Sequence, residues 1–144
     1  MARKSAHSKA APDFDSLADE LAAKPADKLA MDAVDRAYLA RFTLGNVALE
    51  REVLELFAAQ APVYLQRLRE AGCIKAWREA THTIKGSASA IGAWRLARLA
   101  EIAEKVDVEA DIALREGHRD EAVAAVAMAA EEVGRFIARL YLAA

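Results

Sequence analysis

Apolar residues along this chain recur mainly at intervals of three and four, the signature of helices that bury one stripe and solvate the rest. Trp77, Thr81, Ile84, Ala88 and Ile91 follow one another at four, three, four and three, which predicts a helix over about 74–91 with Gly92 as its terminator. Upstream, Val53, Leu54, Phe57, Ala61, Tyr64, Leu65 and Leu68 mark a longer helix, capped by Asn46 and running to Gly72. Pro62 interrupts that run. A proline removes one backbone hydrogen bond and crowds the preceding turn, so a kink near Ala58 or a split at Ala61 is expected. Before it, Asp32 is placed to cap a helix that turns Val34, Tyr38, Leu39 and Phe42 inward, and Gly45 supplies a left-handed end.

Downstream, Leu96, Leu99, Ala103, Val106, Ala110 and Ala113 predict a fourth long helix ended by Gly117. The turn Gly117, His118, Arg119, Asp120 then leads into a last helix capped by Asp120, with Val123, Val126, Ala130, Val133, Ile137 and Leu140 facing the core. Short links make sequential helices antiparallel. The expected fold is therefore all-α: an antiparallel up-down-up-down four-helix bundle over residues 32–144. Phe14, Leu17, Ala18 and Leu21 add a short N-terminal helix or linker within residues 14–31, stopped by Pro25 and packing across one end of the bundle. Residues 1–13 lack an apolar period and read as a flexible arm.

Composition agrees with an all-helical core, since 55% of the 144 residues are apolar while only 6 are glycine and 3 proline. The net charge is −2, and basic residues alternate with acidic ones without forming the stripe a phosphate backbone requires, so no nucleic-acid partner is expected. Cys73 is the single cysteine, which excludes an intramolecular disulfide and fits a reducing compartment. The basic N-terminus has no apolar stretch of the secretory kind, and the longest apolar run, residues 122–130, is too short to span a bilayer. The expectation is a cytoplasmic monomer without a membrane partner.

Candidate chemistry centres on His82. On the helical wheel it lies roughly 160° from Ile84, which points the imidazole into water among Arg78, Glu79, Lys85, Gly86 and Ser89. A glycine in an exposed helical turn costs about 1 kcal/mol relative to alanine, and nothing in the local pattern calls for one at Gly86. One turn beyond His82, it clears space over the ring, and Ser89 and Ala90 continue the clearing. An exposed imidazole offers a ring-nitrogen lone pair, so His82 reads as a nucleophile for a phosphoryl group. The rest of a phosphoryl-transfer site is not legible: there is no glycine-rich phosphate loop and no acidic cluster for Mg²⁺. His7 and His118 stand alone without ligand spacing, so no metal site is expected. Trp77 and Trp94 read as packing anchors.

The string His82, Thr83, Ile84, Lys85, Gly86, Ser87, Ala88, with Gly92 closing the helix, resembles the signature of histidine-containing phosphotransfer (HPt) domains. The resemblance extends over about residues 34–142 in the order and length of the helices. It implies a phosphocarrier of a two-component phosphorelay without an ATP or metal site of its own. A receiver domain, bearing an aspartyl phosphate and its Mg²⁺, would dock over the histidine face, and a hybrid histidine kinase would stand upstream. By the same resemblance His82 is the phosphoacceptor, Lys85 offsets phosphoryl charge, Gly86 admits the partner, and Glu104 on the next helix orients the ring. Arg78, Glu79, Ser89 and Arg95 are the candidates for partner contact. Two other readings are a phosphoacceptor domain fed by a chemotaxis-type histidine kinase and a structural or interaction bundle built on the alanine-rich last helix. The lack of a kinase region in the chain favours a free-standing relay protein.

Overall fold

A computed structural model describes residues 32–106 and 112–142, the side chains of 112–116 excepted. Among the described residues there are five helices and no strands: α1 (Arg36–Thr43), α2 (Val47–Glu70), α3 (Ile74–Ala90), α4 (Trp94–Glu104) and α5 (Ile112–Leu142). Helix α2 packs on α3, α3 on α4, α4 on α5 and α5 back on α2, a closed ring of four neighbours, while α1 leans on α2. The short N-terminal helix expected within 14–31 and the arm at 1–13 lie outside the described residues.

The ring is held by the apolar stripes of its four helices. Leu54, Phe57, Leu65 and Leu68 of α2 meet Trp77, Ile84 and Ala88 of α3, Leu96, Leu99 and Ala103 of α4, and Val126, Val133 and Ile137 of α5, all buried. Each large aliphatic side chain so removed from water contributes about 1.5–3 kcal/mol. Polar ties fix the alignment. The Trp77 indole N–H donates to the Ala103 carbonyl at 2.8 Å, joining the first turn of α3 to the last turn of α4. The Arg119 guanidinium donates to the carbonyls of Leu68 and Arg69 at the end of α2, where the Leu68 carbonyl also accepts from the capping Ala71 N–H, and lies 5.3 Å from the Trp77 ring centroid.

Helix α2 runs unbroken through Pro62, so the expected split at Ala61 does not occur. Pro62 sits on the exposed side of the helix, and buried Phe57 and Leu65 on either side of it tie both halves to one core. Asn46 caps the helix as expected, accepting from the Leu49 N–H at 3.0 Å.

Three boundaries differ from the sequence reading. Asp35, not Asp32, caps α1, accepting from the Tyr38 N–H at 3.0 Å. Its second carboxylate oxygen accepts from the Trp94 indole, also at 3.0 Å, and that distant partner is what selects it. Val34 precedes the helix yet is buried, whereas Phe42 points outward, 63% exposed, and packs edge-on against Tyr38. At the C-terminal end of α1 both Leu44 and Gly45 have positive φ, so the left-handed turn begins one residue before the predicted glycine. The fourth helix ends at Glu104, not at Gly117. Gly117 and Asp120 lie inside α5, and neither ends nor caps a helix; an interior glycine costs only about 1 kcal/mol, and Arg119 anchors this stretch to α2. Ala110 lies outside the described residues.

Candidate functional site: the histidine face of α3

Helix α3 divides as its period predicts. Trp77, Ala80, Thr81, Ile84 and Ala88 are buried, while Arg78, Glu79, His82, Thr83 and Gly86 are exposed and Lys85 and Ser89 half-buried. Thr81 satisfies its hydroxyl internally, donating to the Trp77 and Arg78 carbonyls, so a polar residue is tolerated on the core stripe. The helix closes with a paired turn in which the Ala93 N–H reaches the Ala88 carbonyl and the Gly92 N–H reaches that of Ser89, with Gly92 at φ +77°. This is the Schellman arrangement, and it places the left-handed residue where glycine is preferred.

His82 opens onto a depression of about 540 Å³ between α2 and α3. One wall is the last turn of α2, with Arg67 and Glu70; the other is Ala76, Glu79 and Thr83 of α3. Further along α3, past Gly86, a second and largely apolar groove of about 320 Å³ runs between Ser87 and Ala90 on one side and Leu56, Gln60 and Tyr64 of α2 on the other. Leu56 is 61% and Val63 43% exposed. A Cβ added at Gly86 would meet nothing within 4 Å, so the glycine lies open between the two depressions.

Lys85 turns toward α4, where its ammonium lies 3.6 Å from the Glu101 carboxylate. Glu101 also accepts from Arg98 at 2.9 Å, and the Arg98 hydrogen bond first, then the Lys85 charge, holds its carboxyl below the ordinary value. Glu101 was not legible as a site residue, because only the packing of α3 on α4 brings it to Lys85. Arg67 and Glu70 were missed for the same reason. Glu104, half-buried in the last turn of α4, makes no hydrogen bond to His82 among the described residues. Of the partner candidates, Arg78, Glu79 and Ser89 lie on α3 beside His82; Arg95 lies elsewhere, paired with Glu132 of α5 at 3.3 Å. Trp77 is fully buried, but Trp94 keeps 38% exposure while packing edge-on against Tyr38.

Helix α3 thus carries an exposed histidine with a lysine three residues on and open space at the fourth. The family model for the Hpt domain matches residues 52–139, from within α2 to within α5. The chain belongs to the Hpt domain family, the phosphocarriers of two-component phosphorelays, which work with receiver domains and histidine kinases. No curated protein and no solved structure matches the chain significantly. Among the described residues no group of three or more His, Cys, Asp or Glu side chains could hold a metal ion, and no helix is long and apolar enough to cross a membrane.

Proposed function

We propose that His82 is the phosphoacceptor of this Hpt domain, taking a phosphoryl group from the aspartyl phosphate of one receiver domain and passing it to the aspartate of another. In the first step a ring nitrogen attacks phosphorus, the N–P bond forms, and the acyl O–P bond breaks with its electron pair staying on the aspartate carboxylate. The reverse polarity returns the group to the second receiver. The observation that carries this reading is the position of His82 on the solvent face of α3, beside an open depression and one turn from a glycine over which nothing is packed.

The other roles follow from placement. Lys85 is held by a single, partly solvated ion pair, weak enough for a phosphoryl dianion to compete for its ammonium. Gly86 leaves the approach open, and the exposed Leu56 and Val63 on the facing helix give a receiver an apolar surface to cover. Glu104, on the neighbouring helix, is the proposed acceptor for the second ring nitrogen in the docked state. The Mg²⁺ that such a transfer uses belongs in this reading to the receiver. In this reading the helices take the up-down-up-down order, with His82 at the middle of α3.

The test is phosphoryl transfer from a panel of phosphorylated receiver domains to the purified protein, with His82→Gln in parallel. Acid-labile label that disappears in His82→Gln supports the relay. Label that arrives only from ATP through a separate kinase domain would favour a chemotaxis-type phosphoacceptor, and no label from any donor would leave a structural bundle.

A further inference from the structure

The side of the ring formed by α4 and α5, opposite the histidine face, carries a second concavity of about 270 Å³ with a different character. Beneath it lie Leu96 and Val133, both buried, and the half-buried Phe136; its rim carries Arg95, Arg135 and Arg139 together with the carboxylates of Asp32 and Glu132. Arg95 spends one guanidinium nitrogen on Glu132, yet its Nε is buried without a hydrogen-bond partner. A buried donor of this kind ordinarily has an acceptor. Arg135 and Arg139, one helical turn apart on α5 and both exposed, have no ion-pair partner among the described residues. Three arginines against two carboxylates leave the rim net cationic, beside the half-buried Phe136 ring.

Asp32, where the described chain begins, lies on that same rim. The preceding residues include the stretch 13–21, DFDSLADEL, with four carboxylates (Asp13, Asp15, Asp19, Glu20), three large apolar side chains (Phe14, Leu17, Leu21) and no basic residue. Ten residues lie between Leu21 and Asp32, and the eleven residue steps between them can reach about 36 Å, more than enough to return to the groove. Residues 1–10 carry Arg3, Lys4 and Lys9 and would be repelled by the rim. The groove beside Gly86 has no arginine or lysine in its lining, so charge complementarity directs the acidic stretch to the α4–α5 side.

We propose that residues 13–21 dock in the Arg95–Arg135–Arg139 groove, their carboxylates on the arginine rim and their apolar side chains against Phe136. This is an intramolecular interface on the side away from His82, and it does not depend on the phosphotransfer reading. It leaves the histidine face open, so the segment braces α4 against α5 without blocking a docking partner.

The experiment is backbone ¹⁵N relaxation on the full chain, comparing wild type with R135E/R139E, D15K/D19K and the four-fold charge swap. The expected result is a segment 13–21 as ordered as α5 in wild type, released in each double variant and reordered in the swap. Release by about 1 M salt, where the Debye length falls to about 3 Å, gives the same reading on the unmutated chain should the variants fold poorly. A segment that tumbles freely in wild type would overturn the proposal. So would one that stays ordered in R135E/R139E, whose order follows protein concentration and so belongs to a second copy, or that is displaced by nothing while added inorganic phosphate shifts the Arg135 and Arg139 signals.

Discussion

Two glycines six residues apart at the end of the same helix are there for opposite reasons. Gly92 is buried at φ +77°, and a Cβ built on it would lie 2.8 Å from the Asp35 carbonyl oxygen; the same close approach lets the Asp35 N–H donate to the Gly92 carbonyl at 2.9 Å. Backbone conformation and packing both require it. Gly86 has ordinary helical geometry, is exposed, and a Cβ there would touch nothing. By helix propensity an alanine there would be more stable, and the role proposed for Gly86 is to keep the space beside His82 open. A glycine that backbone and packing require and one that neither requires are indistinguishable in the sequence, and become distinct once the neighbours of each are known.

His82→Gln should abolish labelling completely while the helical circular dichroism stays unchanged, since the ring is exposed and supports no core contact; a loss of helicity would mean that this face is packed. Gly92→Ala should lower the unfolding free energy by about 2–4 kcal/mol, from the left-handed backbone and the clash with Asp35 together, read from urea midpoints. Gly86→Leu should do the reverse to stability, raising it by about 0.5–1 kcal/mol, while slowing receiver-to-His82 transfer about tenfold or more, a loss of at least about 1.4 kcal/mol. Equal destabilisation by the two glycine variants would erase the distinction.

Lys85→Ala should have a smaller effect. Transfer should slow several-fold in single-turnover kinetics, with stability close to that of wild type, because its ion pair is partly solvated. The pair also predicts a pH dependence. A carboxyl whose folded pKa is lowered contributes stability above its unfolded pKa and loses that contribution as pH falls through the folded one. Glu101, lowered chiefly by Arg98 and then by Lys85, should therefore give wild type a small advantage over Glu101→Gln at neutral pH. That advantage is lost as pH falls from the ordinary carboxylate range through the lowered folded value, and in acid the two urea midpoints should converge.

Much of the site was legible because it is local. The stripe from Trp77 to Ala88 is buried as its spacing required, and the same spacing put His82, Lys85 and Gly86 toward solvent. The helix of α2, its Asn46 cap and the inward residues of α5 were legible on the same ground. The boundaries that were misread involve weak local signals. Asp32 and Asp35 are equally good caps by residue type, and Gly117 is only a mild helix breaker, so the outcome rested on the Trp94 indole in one case and on the Arg119 bonds to α2 in the other.

What the sequence determined by itself, then, was the periodic part: which faces of the helices are apolar, and that one of the exposed faces presents a histidine with cleared space beside it. These follow from geometry repeated every few residues, which one chain segment carries alone. The tertiary structure decided what no segment carries alone: that Glu101 meets Lys85, that Arg67 and Glu70 wall the depression at His82, that Arg95 serves α5 and not the histidine face, and that Asp35 rather than Asp32 starts α1. Each of those is a contact between residues far apart in the chain, set by how four stripes share one core. The energies involved are about 1 kcal/mol each, too small for local propensity to predict and large enough for packing to settle.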